Sequence, residues 1–365
     1  MKKTLFLAAI IVLTALAYSC KKSANNTVGT TYLDLPATTA VYSTVSFDPL
    51  FNQKATLGRV LFYDGHLSLN NAVSCGSCHK QALGFADNTA LSMGYQGLPT
   101  KRNSKSISNL NGDDSTFLSI NTIGSPLFWD GREDILQNLI ARPITNHAEM
   151  GIEDPNTLPA KLSVITFYYP LFTNAYGDTS ITIARISECI ADFMVAIQSH
   201  NTRFDQYAQT GSTASFSALE TYGMNLFLTK YNCGNCHHIF DGSYTDEDFH
   251  DIGLDVNYTD LGRGAITGNS FDNGKFRVPS LRNVCLSAPY MHDGRYATLG
   301  DVIDHYSQNI QNSPNLDGLL MDSTGHAMQM NISSQEKTAI IAFLGTLTDY
   351  QLVTDTKFSN PFKTK

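Results

Sequence analysis

Cys75-Gly76-Ser77-Cys78-His79 and Cys233-Gly234-Asn235-Cys236-His237 are two copies of one five-residue pattern, C-x-x-C-H. Two thiols at this spacing on the first turn of a helix can form thioethers with both vinyl groups of a haem. The imidazole of the following residue then reaches the iron. A thioredoxin-like dithiol or a zinc knuckle uses paired cysteines but does not need the trailing histidine. The two pentads therefore predict two covalent c-type haems. Cys75, Cys78, Cys233 and Cys236 are the expected attachment points, and His79 and His237 the expected iron ligands.

The N-terminus agrees with a protein matured outside the cytoplasm. Residues 1–20 read as a lipoprotein-type signal peptide, with Lys2 and Lys3 as a basic start and Leu5 to Ala17 as an apolar run too short to span a bilayer. Ala17-Tyr18-Ser19-Cys20 is similar to a loose bacterial lipobox, in which cleavage before Cys20 exposes a thiol for lipidation; ordinary cleavage nearby is the other reading. The expected location is exported and periplasmic, anchored to a membrane through a lipid on Cys20 rather than a transmembrane helix.

Of the 7 cysteines, four go to haem and one to lipid, which leaves Cys189 and Cys285. Cys189 borders the stripe Ile183, Ile186, Ile190, Phe193 and Ile197, whose spacing marks a core-facing helix, so a buried free thiol is expected, with a Cys189–Cys285 disulfide as the alternative. With 33 acidic and 25 basic residues the net charge is -8. Such a surface excludes nucleic acid as a partner and would steer a small basic electron carrier toward the protein.

Residues 21–45, rich in Ser, Thr, Asn and Ala, read as a flexible tether. After it, apolar residues recur at helical spacing in Ala55 to Tyr63, Ile135 to Ala141, the Ile183 stripe, Phe216 to Leu228, Leu299 to Tyr306 and Ser333 to Leu347. The last of these opens with the capping box Ser333-x-x-Glu336. Long loops dense in Gly, Asn, Asp and Pro lie between them, as in 98–126 and 250–289, and strand signals are few. The expected fold is all-α, with one haem module at 46–210, a second at 211–353, and a tail at 354–365.

With the pentads placed, the chain resembles the bacterial di-haem cytochrome c peroxidase family, MauG-type enzymes included. The resemblance is carried by Leu57-Gly58-Arg59 with Leu61-Phe62, Gly84-Phe85-Ala86-Asp87, Arg102-Asn103, Phe128-Trp129-Asp130-Gly131-Arg132, Pro143-Ile144 and Glu149-Met150-Gly151. In the second half it is carried by Asp260-x-Gly262-Arg263, Pro279-Ser280-Leu281-Arg282-Asn283, Pro289-Tyr290-x-His292-Asp293-Gly294 and Ala342-Phe343-Leu344. It implies two cytochrome c-like domains, each around one covalent haem, with a calcium ion between them on the Asn103 side chain and the Ser287 and Pro289 carbonyls, hard oxygen donors that suit that ion. It implies that Trp129, the only tryptophan, bridges the haems, and that the reactive iron is the one on His79. Glu149 then serves as the acid-base residue that takes a proton from hydrogen peroxide and returns it to the leaving oxygen.

Three positions depart from the peroxidase pattern. Tyr95, in Ser92-Met93-Gly94-Tyr95, stands where many members carry a histidine that blocks the reactive iron until half-reduction. Tyr306 stands where they use a methionine ligand at the second haem, as MauG-type proteins also have it; a phenolate favours ferric iron and lowers the potential. Met291, His305, Met321, Met328 and Met330 are the other candidates for that ligand. Leu139 stands where a distal glutamine is common, and Gln137 projects about 200° around the same helix. His292 and Asp293 read as supports of the haem environment, and His147, His238, His250 and His326 as ordinary polar residues.

The resulting expectation is an enzyme that reduces hydrogen peroxide to water with electrons from a reduced cytochrome or similar donor. The alternatives are a MauG-like oxidase that modifies Trp or Tyr of a partner protein, and a di-haem cytochrome that only transfers electrons.

Overall fold

The computed structural model describes residues 31–35, 40–42, 48–110 and 126–364. The signal peptide, Cys20 and most of the expected tether lie outside the described residues. The described chain is mostly helical, with four strands of two or three residues. Thr31–Leu33 pairs antiparallel with Phe362–Thr364 and forms a unit of its own, so a strand lies inside the stretch read as tether. Its partner lies at the far end of the sequence, beyond the reach of a local reading. Residues 35–361 form the second compact unit.

In that unit, the helix Phe51–Tyr63 buries Ala55, Leu57, Val60, Leu61 and Phe62 against the helix Ile183–Ala196. A Cβ on Gly58 would stand 1.8 Å from the Cys189 carbonyl, so glycine is what allows the two backbones to touch. Leu136–Thr145 packs on the same helix through Leu136, Ile140 and Ile144. The same device recurs in the second half. There Ala218–Asn225 meets Ser334–Gly345 at Gly223, whose Cβ would lie 1.9 Å from the Ala339 carbonyl. Phe204, Phe227, Phe343, Leu344 and Leu347 fill the core around that contact. The Ser333–Glu336 capping box forms as expected.

Two features escape local periodicity. Phe204, on the helix Arg203–Thr210, belongs to the second core although it precedes the polar stretch at 211–215. The expected tail returns to the first core, where Phe358 packs on Phe85 and Phe193 and its carbonyl accepts from the Tyr63 hydroxyl at 2.8 Å. Cys189 and Cys285 are both free thiols, and Cys189 is buried.

Candidate active site

Cys75–Cys78 form one helical turn, closed by a capping box between Ser74 and Ser77, and His79 ends it. The His79 Nδ1 lies 3.0 Å from the Phe85 carbonyl; the His237 Nδ1 lies 3.4 Å from that of Tyr244. Phe85 and Tyr244 both have left-handed backbones, with φ of 61° and 60°, which turn each carbonyl back toward its histidine. A neutral imidazole that donates through Nδ1 offers Nε2 to a metal, and burial keeps both rings neutral, with His237 pushed down to about 4. Burial pushes the Cys75, Cys233 and Cys236 thiols up to about 12, the opposite of what a redox dithiol needs. The residues present therefore fit two haems held through thioethers and neutral histidines.

A cavity of about 790 Å³ opens beside the second pentad, in the range of a cofactor site. His237, Phe227, Leu299, Ile303, Tyr306 and Trp129 are part of its wall. His79 and Glu149 are not, so this cavity belongs to the His237 side. Tyr306 lies in the π-helical segment His305–Asn309, a distortion that often re-aims a functional side chain. Burial, then the nearby Cys233 and Cys236, hold its phenol well above the ordinary range. Both His305 ring nitrogens already have partners, Nε2 the Ile252 carbonyl at 2.9 Å and Nδ1 the Tyr296 hydroxyl at 3.3 Å. Met291, Met328 and Met330 also line the cavity, and Met321 does not. His250, read as an ordinary polar residue, stands between Asp246 at 2.8 Å and Asp317 at 2.5 Å. The Asp246 bond first, with Asp317 adding to it, raises His250 to about 9, so the ring is an imidazolium.

Trp129 lies where the two halves meet. Its Nε1–H donates to the Asn103 carbonyl at 3.0 Å, and its own carbonyl accepts from Arg277 N at 2.8 Å. Asp130, next to it, binds Arg102 at 2.5 Å and Arg132 at 3.0 Å, while Arg102 makes a bidentate pair with Asp260 at 2.7 and 2.8 Å. One ion network thus ties Trp-Asp-Gly-Arg to Asp-x-Gly-Arg across the chain. Asn103, Ser287 and Pro289 line the same cavity. The Asn103 Nδ2 donates to the Thr89 and Ala90 carbonyls, which leaves Oδ1 as the donor a calcium ion would use. His292 stacks on Phe276 at 3.7 Å, whereas Asp293 is spent on Arg295 at 2.7 Å and is not part of the cavity wall.

Glu149 sits by the first pentad, near enough that its charge raises the Cys75 and Cys78 thiols. Burial raises the Glu149 carboxyl, opposed by Arg132 and by the Asn146 amide, which donates to it at 2.7 Å. Arg132, the last residue of Phe128-Trp129-Asp130-Gly131-Arg132, faces this carboxylate although nothing in its sequence position signals it. Its guanidinium lies 3.6 Å over the Phe128 ring, held by Asp130, and faces Glu149 electrostatically. Tyr95 is tied to the same segment, with its N–H donating to the Glu149 carbonyl at 2.7 Å and its ring edge-on to His147 at 5.6 Å.

Two C-x-x-C-H pentads, each ending in a buried histidine whose Nδ1 faces a backbone carbonyl, are the pattern of a c-type cytochrome. The family model for di-haem cytochrome c peroxidase matches residues 52–213. Methylamine utilization protein MauG of Methylorubrum extorquens is 33% identical over 303 residues, covering 82% of this chain and 79% of that protein. Cytochrome c551 peroxidase of Nitrosomonas europaea is 29% identical over 304 residues, covering 81% and 80%. Among solved structures, a MauG-like protein associated with microbial copper homeostasis superposes with a TM-score of 0.73 at 32% identity, covering 90% of this chain and 98% of the other. The chain belongs to the di-haem cytochrome c peroxidase family and is an oxidoreductase with two haems.

Proposed function

We propose that this protein reduces hydrogen peroxide to water on the His79 side, consuming two electrons and two protons per peroxide, with the electrons drawn from a reduced cytochrome or similar donor on the His237 side. The observation that carries this reading is Glu149, a half-buried carboxylate of raised proton affinity beside Cys75 and Cys78, faced by Arg132. A haem bound through Cys75, Cys78 and His79 supplies the iron chemistry that cleaves the O–O bond. Glu149 accepts the proton of the entering peroxide and delivers it to the departing oxygen, and Asn146 holds the carboxylate in place. Trp129, fixed at Asn103, passes electrons one at a time between the halves, and a calcium ion on Asn103, Ser287 and Pro289 keeps that junction rigid. The protein is exported to the periplasm and held to a membrane through a lipid on Cys20; no helix among the described residues is long and apolar enough to cross one.

Tyr306 on the cavity wall near Cys233 and Cys236 favours a second reading, in which the two electrons that reduce peroxide are drawn from a Trp or Tyr of a partner protein, which is thereby oxidised. One experiment tests both. The oxidised di-haem protein is mixed with one equivalent of hydrogen peroxide, without reductant, in a stopped-flow spectrometer. A rapid Soret change followed by fast recovery with reduced cytochrome supports peroxidase function, and a change that reduced cytochrome does not reverse supports the second reading. No change in the oxidised protein, and none after half-reduction either, would sink both in favour of electron transfer alone.

A further inference from the structure

Trp129 shares its surroundings with a buried lysine. The Lys105 Nζ lies 5.3 Å from the centroid of the Trp129 ring and has no hydrogen-bond partner among the described residues. A lysine out of water keeps its charge only beside an anion, and the face of one indole replaces its hydration only in part. Lys105 is part of the wall of the 790 Å³ cavity, together with His237 and Tyr306.

Each carboxylate on that wall is already engaged. Asp260 holds Arg102, Asp317 holds His250, and Asp255 holds Arg295. Asp251 accepts from the Tyr258 and Ser313 hydroxyls, and Glu247 pairs with Arg277 at 3.3 Å.

An internal repeat shows that the backbone here does not require lysine. Ser104-Lys105-Ser106-Ile107-Ser108-Asn109 matches Val278-Pro279-Ser280-Leu281-Arg282-Asn283, and Asn109 and Asn283 share left-handed backbones, with φ of 54° and 60°. Both asparagine amides bond Ser199 at 3.2 Å. Lys105 therefore stands where the second copy has Pro279, and the turn forms with either residue.

We propose that Lys105 takes a carboxylate of the haem held by Cys233, Cys236 and His237, and through that ion pair sets how readily Trp129 gives up an electron. A bare ammonium over the indole face disfavours the oxidised ring, and an anion bound to the ammonium relieves that cost. Lys105 is thus a positioning residue that acts through Trp129. The inference rests on the reading of Trp129 as an electron carrier, and the two can fail separately.

The test compares the wild-type di-haem protein with Lys105→Met and Lys105→Arg. Trp129 is the only tryptophan, so the ultraviolet resonance Raman bands of tryptophan report on it directly. Spectroelectrochemical titration reads the potential of the haem on His237. Lys105→Met is expected to shift that potential downward, because a positive charge that disfavours the ferric form is gone, and to move the tryptophan bands; Lys105→Arg restores both. An unchanged potential in Lys105→Met overturns the proposal, whether or not the bands move. Lys105→Gln gives the same comparison should the methionine variant fail to take up haem. Wild-type turnover in Trp129→Phe would remove Trp129 as a carrier while leaving the potential and the ion pair as separate findings.

Discussion

The Trp129 indole N–H donates to the Asn103 carbonyl at 3.0 Å, and the Asn103 N–H in turn donates to the His292 carbonyl at 2.8 Å. The residue proposed to give calcium a side-chain oxygen therefore also sets the tilt of the tryptophan. Removing calcium should loosen both. A chelator is expected to reduce the near-ultraviolet circular dichroism of Trp129 in the holoprotein and to slow electron transfer between the haems. Asn103→Ala should show both defects without chelator and respond no further to it. Spectra indifferent to the chelator would remove calcium from the site.

Glu149 is the second handle. If it moves the peroxide proton, Glu149→Gln should lower peroxide turnover by roughly a hundredfold to ten-thousandfold with haem content unchanged. The accepting form is the carboxylate, and burial raises its proton affinity against the pull of Arg132. Turnover should thus rise with pH through a value above the ordinary carboxylate range, and Glu149→Gln should lose that limb. Arg132→Leu should move the limb to higher pH, since a charge that favours the carboxylate is removed. A pH profile identical in Glu149→Gln would show that another group carries the proton.

The helical turn of the first pentad and most of the core helices are legible in the sequence because they depend on local signals. The pentads fix Cys75, Cys78 and His79, and the 3-4-3-4 stripe fixes Ile183–Ala196. What stayed hidden depends on contacts between distant residues. Phe358 reaches the first core only because the chain returns to it, and Thr31–Leu33 is a strand only because Phe362–Thr364 lies beside it. The glycines held a usable signal: Gly58 and Gly223 each interrupt an otherwise helical run, at a cost of about 1 kcal/mol relative to Ala, and each marks a helix crossing. Arg132 and Lys105 had no such signal, since their roles come from what they face.

Tyr306 separates the two enzymatic readings. Replacing it by methionine should raise the potential of the haem on His237, because a neutral thioether stabilises ferric iron less than a phenolate does. Potentiometric titration checks the shift. With a higher potential that haem would hold an electron at rest, so prior half-reduction should begin to speed the reaction of Tyr306→Met with peroxide. An unchanged potential would pass the ligand role to Met291, Met328 or Met330, which share the cavity wall.

Asp192 is the buried group from which a pH-dependent stability is expected. It is 2% exposed, its Oδ2 has no hydrogen-bond partner among the described residues, and burial, against the opposing charge of Lys54, pushes its carboxyl up to about 8. Lys54 is already committed to Asp48 and Glu188, each at 2.7 Å. An unfolded aspartate titrates near a pH of roughly 3.9. Between that value and about 8 the folded chain keeps a proton that the unfolded chain has lost. The contribution of Asp192 to stability is therefore complete below the lower value and falls as pH rises toward the upper one, by about 1.4 kcal/mol per pH unit. Asp192→Asn carries no such proton. Thermal unfolding of the haem-loaded proteins should show a gap between Asp192→Asn and wild type that grows in favour of the variant from pH 5 to pH 8 and is constant beyond. A gap independent of pH would mean that Asp192 is ionised in the folded protein and that Lys54 reaches it after all.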